Sequence, residues 1–187
     1  MATVTVTPEA FELVEFDAGV IRSIAEELAT LIGLQDDVPI TVEVDETVIM
    51  PRVESSIVGN AITISVTGGA LEDLHKARTL SPERTRLILG THLLRARDRL
   101  DPAWAEAPTG DELTVQHTSA WDTYTEGRLQ RLGLPTRQQR RIYHFRLRHG
   151  FSDDIDGVFQ RLWDGENLSW SDVEKACEET AALKSNL

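Results

Sequence analysis

Five histidines are the side chains in this sequence best suited to metal binding or proton transfer, and their spacing decides whether they can act together. They are His75, His92, His117, His144 and His149. Two side chains share one face of a helix when they lie three or four positions apart, and no two of these histidines have that spacing. The sequence therefore predicts no metal site made of histidines on a single helix.

Two short motifs place carboxylates at spacings that metal sites use, but each lacks a required ligand. Glu72 and His75 have the Glu-x-x-His spacing of di-iron bundles, which need a second copy and two further glutamates. Residues 152–157, SDDIDG, are similar to the start of an EF-hand loop, but its twelfth position is Trp163 instead of a glutamate. Ser152 fits better as a helix cap, with the following aspartates near the positive end of the helix. We expect no metal and no covalent cofactor.

Motifs for nucleophilic catalysis and phosphate binding are also missing. Cys177 is the only cysteine, which excludes an intrachain disulfide, and its neighbours favour a small apolar residue in a helix over a reactive thiol. The chain contains no GxxxxGK[ST], GxGxxG or GxSxG motif. A catalytic site assembled from scattered residues stays open, but the pattern favours a protein that is not an enzyme.

The first part of the chain, residues 1–102, predicts a small α/β layer of two or three strands with helices. Asp17 caps a helix that Gly33 ends, and Ser81 with Pro82 begins a long helix. Alternating apolar residues predict a short strand over Thr3 to Thr7 and two further strands. Those two runs are PITVEVDE, from residue 39, and AITISV, from residue 61, and we expect them to pair.

The order of these elements is similar to that of a small zincin, in which a long helix carries HExxH and its glutamate acts as the base. His92 lies on the predicted long helix, but Leu93 follows it and Ala96 occupies the position of the second ligand. The resemblance therefore implies a degenerate zincin-like fold without peptidase activity, which we keep as one alternative.

The remainder predicts a connecting loop over 103–117 and a helical region over 118–187, either as a separate unit or as part of one continuous domain. Glycines and serines separate four predicted helices. They lie near 118–132, 137–149, 153–163 and 170–184. The expected fold class is α+β. Apolar runs are too short for a membrane span and the first residues do not form a signal peptide, so we expect a cytoplasmic protein without a membrane partner.

The strongest signal is a basic segment in an acidic chain. Residues 127–149 contain seven arginines and no acid, so this segment carries +7 and the rest of a chain with net charge −12 carries −19. At about 100° per residue, five basic side chains fall within an arc of roughly 100°, namely Arg137, Arg140, Arg141, His144 and Arg148. The candidate binding residues are Arg128, Arg131, Arg137, Arg140, Arg141, His144 and Arg148.

Two apolar pairs flank this basic stripe, and we expect both to be buried. The pairs are Ile142 with Phe145 and Tyr143 with Leu147. Arg146 lies between them, opposite the stripe, so we expect it to point inward and to bind a carboxylate in a bidentate manner. Asp122 and Glu126 are the first candidates for that carboxylate.

Three interpretations of the stripe remain. The favoured one pairs it with acidic surface of the protein's own fold or of a second copy, which makes the chain an interaction protein. The second treats residues 118–149 as a helix-turn-helix-like pair that binds nucleic acid. The third covers a small anionic ligand or an unrecognised enzyme.

Overall fold

The computed structural model describes residues 3–109 and 112–185 of the chain. Residues 1–2, 110–111 and 186–187, which belong to the three predicted regions, lie outside this description. The chain divides into two compact units, Met1–Arg97 and Asp98–Leu187.

The first unit contains a mixed four-stranded sheet. Its strands are β1 (Val4–Thr7), β2 (Ile40–Asp45), β3 (Val53–Val58) and β4 (Ala61–Thr67), and the sheet order is β1-β2-β4-β3. Strands β1, β2 and β4 are parallel neighbours, whereas β3 pairs with β4 in the antiparallel direction. The helices are α1 (Ala18–Leu31), α2 (Gly68–Leu71) and α3 (Pro82–Leu100), of which the last three residues of α3 belong to the second unit.

The alternation in β2 and β4 produces one fully buried face. Ile40 and Val42 of β2 lie in register with Ile62 and Ile64 of β4, and all four side chains are buried. The two runs therefore pair as expected, in the parallel direction. Helix α1 packs against β1, and the carboxylate of Asp17 caps it by accepting a hydrogen bond from the Gly19 amide at 2.7 Å.

Strand β3 is the element that the sequence did not reveal, so the sheet has four strands instead of two or three. Its sequence is VESSIV and none of its residues is fully buried, which leaves little alternation to detect. A two-residue turn, Gly59 and Asn60, joins it to β4, and Gly59 has a φ of 63°. A tight hairpin needs a residue that accepts positive φ, and Gly59 meets this need. The strand is therefore defined by its pairing with β4 across this turn.

The second unit is helical. After a 3-10 turn at Pro102–Trp104 it contains α4 (Val115–Arg131), α5 (Gln138–His149), α6 (Asp153–Asp164) and α7 (Trp170–Ser185). Helix α4 packs against the other three. The fold class is therefore α+β, as expected. Helix α4 begins three residues earlier than predicted, because the side chain of Thr114 accepts a hydrogen bond from the His117 amide and caps it.

Aromatic side chains fill the core of the second unit. Trp121, Phe145 and Phe159 are fully buried, and the Trp104 ring stacks on Trp121 with centroids 4.8 Å apart. Phe145 comes from α5 and Phe159 from α6, and their ring centroids are 5.6 Å apart. This core fixes the rotation of α5 about its axis, which determines the side chains that α5 presents to solvent.

Candidate functional site

Helix α5 is held by the buried residues of its C-terminal half. Phe145 and His149 are fully buried and their rings stack with centroids 4.0 Å apart. The imidazole of His149 faces the hydroxyl of Thr180 at 2.8 Å and the carbonyl of Gln116 at 3.2 Å. A carbonyl only accepts, so Nε2 of His149 carries the proton and donates to Gln116. Burial lowers the pKa of His149 to about 4, so this histidine is neutral and structural.

Two of the candidate binding arginines are engaged inside the second unit. The guanidinium of Arg128 donates to both carboxylate oxygens of Asp98, at 2.7 and 2.6 Å, and it lies over the Tyr124 ring at 3.9 Å from the ring centroid. Arg131 donates to the main-chain oxygens of Trp163 and Gly165, each at 2.6 Å. These internal contacts occupy both guanidinium groups, so we do not include Arg128 and Arg131 among the residues that we propose to bind a partner.

Arg141 is a third engaged arginine. Its guanidinium forms ion pairs with Asp122, at 3.5 Å, and with Glu126, and both carboxylates belong to α4. The side chain is only 18% exposed, so water screens these pairs weakly. The charge of Arg141 is therefore neutralised by carboxylates of the protein's own fold.

Arg146 makes the expected bidentate contact with a carboxylate of another helix, but its side chain is 34% exposed, so it is not buried as expected. The predicted partners were wrong. Arg146 donates through Nε to Asp156 of α6 at 2.7 Å, with a second bond from its terminal nitrogen, whereas Asp122 and Glu126 hold Arg141. The hydrogen bonds from Arg146 lower the pKa of Asp156.

The remaining basic side chains of the stripe, on α5 and at Arg137 just before it, are exposed to solvent. Within the described residues, no carboxylate lies within ion-pair distance of Arg137, Arg140 or Arg148. The side chain of Arg140 contacts a residue of the same helix, because its Nε lies 3.4 Å from Nε2 of His144. The positive charge of these three arginines is thus available to a partner.

Three large apolar side chains lie beside these arginines, and this corrects the expectation that both apolar flanks are buried. Tyr143 is 54% exposed, Leu147 is 49% exposed and Phe151, just after the helix, is 61% exposed. Only the other flank, Ile142 with Phe145, packs into the core. We call the exposed face the α5 surface. It consists of Arg137, Arg140, Tyr143, His144, Leu147, Arg148 and Phe151.

Within residues 3–109 and 112–185, the surroundings of the other candidate residues are as follows. Nδ1 of His92 lies 3.2 Å from the hydroxyl of Ser55 on β3, and the buried Ala96 stands where a second zincin ligand would be. Over residues 3–109 and 112–185, no group of three or more histidines, cysteines or acids is arranged to hold a metal ion. Cys177 is half-buried, and burial together with nearby Glu174 and Glu178 raises its pKa to about 12.

Two observations bear on the nucleic-acid alternative. The connection between α4 and α5 covers six residues, 132–137, whereas a helix-turn-helix turn has about three or four. The internal contacts of Arg128, Arg131 and Arg141 also reduce the number of cations that could reach phosphates.

Comparisons with known proteins add no relative. No protein-family model matches the chain, and neither the curated proteins nor the solved structures contain a significant match. In the described part of the chain, no helix is both long enough and apolar enough to cross a membrane.

Proposed function

We propose that this chain is a non-catalytic interaction protein that binds a carboxylate-bearing protein surface through the α5 surface. One observation carries the proposal. The fold engages four of the seven arginines between residues 127 and 149, at positions 128, 131, 141 and 146, and leaves Arg137, Arg140 and Arg148 in solvent beside apolar side chains. We also propose that the protein is cytoplasmic, which is the location expected from its sequence.

The composition of the α5 surface favours a protein partner over nucleic acid. Arginine and aromatic residues are enriched at protein interfaces, where an apolar centre is surrounded by a polar rim. Tyr143 and Leu147 provide such a centre and the arginines lie around it. A surface that reads DNA would instead need several cations and polar side chains directed at phosphates and base edges. Exposed Leu147 contributes to neither contact.

Binding to two defined probes tests the proposal. One probe is a fluorescent helical peptide of about 16 residues with glutamates on one face and leucines beside them. The other is a labelled DNA duplex of about 20 base pairs. We expect the peptide to bind. The double substitution Arg140→Ala with Arg148→Ala should weaken peptide binding about five-fold, because each partly exposed charge contributes about 0.5 kcal/mol.

Lys175→Ala is the matched control, because Lys175 is an exposed cation on α7 of the same unit. It should leave peptide affinity unchanged. Peptide binding that does not respond to the double substitution would refute the proposal. Duplex binding that the double substitution abolishes, with a log–log salt slope of about −0.9 per phosphate, would establish the nucleic-acid alternative instead.

A further inference from the structure

We infer that the outer edge of β3 pairs with the same edge of a second copy of this chain, in the antiparallel direction and across a two-fold axis at Ser55. The two four-stranded sheets then form one continuous sheet. This inference goes beyond the proposed function, because it concerns a different surface, on the first unit, and names the partner.

Strand β3 is an edge strand whose outer side is open. It ends the sheet order β1-β2-β4-β3, and among the described residues β4 is the strand that pairs with it. Helix α3 reaches β3, since Nδ1 of His92 lies 3.2 Å from the Ser55 hydroxyl, yet Ser55 and the next residue, Ser56, are both exposed. The helix therefore leaves this edge accessible to a further strand.

The ladder between β3 and β4 shows which backbone groups are free. The amide of Thr67 donates to the carbonyl of Arg52, just before β3, and in an antiparallel ladder every second residue bonds to the same neighbour. By this alternation, three residues of β3 direct their N–H and C=O groups away from β4. They are Val53, Ser55 and Ile57, and within residues 3–109 and 112–185 no other backbone group bonds to them. Such a row of open groups is a template for another strand.

The same residues point toward the apolar face of the sheet. Val53 and Ile57 lie opposite the buried Val66 and Ile62 of β4, and they are half-buried themselves. Directly opposed residues of an antiparallel pair point to the same face. A strand that continues this sheet must therefore carry apolar residues at matching positions, and β3 of a second copy does so.

Charge and apolar matching select one register for two copies of β3. With the axis at Ser55, Val53 of each copy lies opposite Ile57 of the other, and Glu54 lies opposite Ser56. An axis at Glu54 would place two carboxylates directly opposite each other, which is unfavourable. An axis at Ser56 would place Ser55 opposite Ile57 and remove the apolar match. The Ser55 register alone pairs apolar with apolar residues and keeps the acids apart.

The polar face of the sheet supplies a hydrogen bond in this register. Ser65 and Glu43 lie in register on β4 and β2, and the serine hydroxyl donates to the carboxylate at 3.0 Å. Across the dimer axis, Ser56 of one copy faces Glu54 of the other in the same way. Two-fold symmetry repeats this contact, so each dimer gains it twice.

The ends of the strand also fit a second copy. Val58 is 80% exposed, and in this register it lies opposite Arg52 of the other copy, whose aliphatic stem covers apolar surface while its charged end stays in water. Strand β3 contains no proline or lysine, which are residues that commonly protect sheet edges. The opposite edge, β1, has four residues and ends before Pro8, which has no amide hydrogen to donate.

The contact predicts a weak, closed dimer. A two-fold contact occupies the β3 edge of both copies, so assembly stops at two chains. Six residues at about 3.4 Å each give a contact about 20 Å long, which is smaller than a standard interface. We therefore expect a dissociation constant in the micromolar range.

Amide hydrogen exchange followed by NMR tests the pairing, at protein concentrations well below and well above the dissociation constant. In the monomer, the amides of Val53, Ser55 and Ile57 should exchange rapidly, whereas those of Glu54 and Ser56 are bonded to β4 and should exchange slowly. Dimerisation should slow exchange most at the first three. Exchange at these three amides that is independent of concentration would overturn the edge contact.

Two substitutions at Ser56 test the register by analytical ultracentrifugation. Ser56→Glu places a carboxylate opposite Glu54 at both symmetric positions and should weaken dimerisation about five-fold, because directly opposed like charges are unfavourable. Ser56→Arg makes both contacts attractive and should strengthen dimerisation by a similar factor. An axis at Glu54 predicts the reverse order, because Ser56 would lie opposite Arg52, and an axis at Ser56 predicts that both variants weaken. Either result would overturn the Ser55 register.

Thr5→Glu and Thr5→Arg are the matched controls. Thr5 is exposed on the polar face of β1, at the opposite edge of the same sheet. Both controls should leave dimerisation unchanged. Equal responses at positions 5 and 56 would reveal an effect of net charge alone and would overturn the contact. Stronger dimerisation of Ser56→Arg is a gain that misfolding does not produce.

The outcomes separate this inference from the proposed function. A protein that stays monomeric at every concentration yet binds the acidic peptide would overturn the β3 dimer and keep the proposed function. A dimer that Arg140→Ala with Arg148→Ala dissociates would overturn the β3 contact, because its association would depend on the α5 surface. A dimer that follows the order expected for the Ser56 variants, in a protein that ignores the peptide, would support the β3 contact and overturn the proposed function.

Discussion

His149 should make the second unit sensitive to mild acid. Its pKa is about 4 in the folded protein against an ordinary value of 6.5, because the ring is buried. Between pH 6.5 and about 4, His149 is therefore protonated in the unfolded chain but stays neutral in the folded protein. The stability that the neutral ring contributes is complete above pH 6.5, and it is lost progressively as the pH falls from 6.5 to about 4.

The magnitude follows from the size of the shift. A difference of one pKa unit corresponds to 1.36 kcal/mol, so the shift from 6.5 to about 4 amounts to about 3 kcal/mol once the pH lies below both values. At pH 5 about 2 kcal/mol of this is already lost. Coulombic interactions with Lys184 and His117 act in the same direction as burial, whereas the hydrogen bond to Gln116 opposes it.

Urea unfolding followed by tryptophan fluorescence measures this effect. The four tryptophans are residues 104, 121, 163 and 170, so their emission reports on the second unit alone. Asp156 and Asp172 also have lowered pKa values, but their contribution is lost below the ordinary value of 3.8, outside a series from pH 7 to about pH 4.5.

His149→Gln supplies the comparison, because a glutamine amide can still donate to the Gln116 carbonyl but does not titrate. The unchanged protein should lose about 2 kcal/mol more than this variant between pH 7 and pH 5. Equal pH dependence of the two proteins would refute the reasoning, because it would mean that His149 accepts a proton in the folded state as readily as in water.

Three further predictions concern stability in denaturant. Arg128→Ala should lower the free energy of unfolding by about 3 kcal/mol or more, because it removes the ion-pair partner of the buried Asp98 carboxylate. Arg137→Ala should lower it by about 0.5 kcal/mol or less, because Arg137 is exposed. Equal effects of the two substitutions would contradict this difference in burial. Arg146→Ala should fall between these two, because its ion pair is about one-third exposed, and a loss as large as that of Arg128→Ala would be inconsistent with that exposure. Gly127→Ala should destabilise the second unit, because a Cβ there would lie 2.0 Å from the main-chain oxygen of Trp163. Gly157→Ala has open space around it and should stabilise α6 by up to about 1 kcal/mol. The opposite order of stabilities would refute the close approach at Gly127.

The sequence predicted the elements that carry strong local signals. The cap at Asp17 and the glycine at position 33 bounded α1, and the alternation over residues 40–44 and 62–66 identified two strands. The sequence analysis did not predict strand β3, because a polar edge strand has no buried face and therefore no apolar alternation. Its hairpin turn is the remaining local signal. Pairing between strands, and not local periodicity, defines that element.

The α5 surface could be predicted only in part. Helical periodicity placed Arg146 opposite Arg137 correctly, because that angle depends on α5 alone. The identity of each carboxylate partner depends on how α4 and α6 cross α5, which residue spacing does not contain. For the same reason the sequence could not reveal that Arg141 turns toward α4 or that Tyr143 and Leu147 stay in solvent. Binding by the remaining arginines and His144 stays a prediction.

The half-buried Cys177 provides a natural probe for local opening of α7. A thiol whose pKa rises from 9.0 to about 12 has a thiolate fraction about a thousand-fold lower at neutral pH, so alkylating reagents should modify the folded protein very slowly. Modification would then proceed mainly through molecules in which α7 has detached locally, and its rate would report how often that happens. Because the chain contains one cysteine, a single labelling rate follows this one helix without any engineered probe.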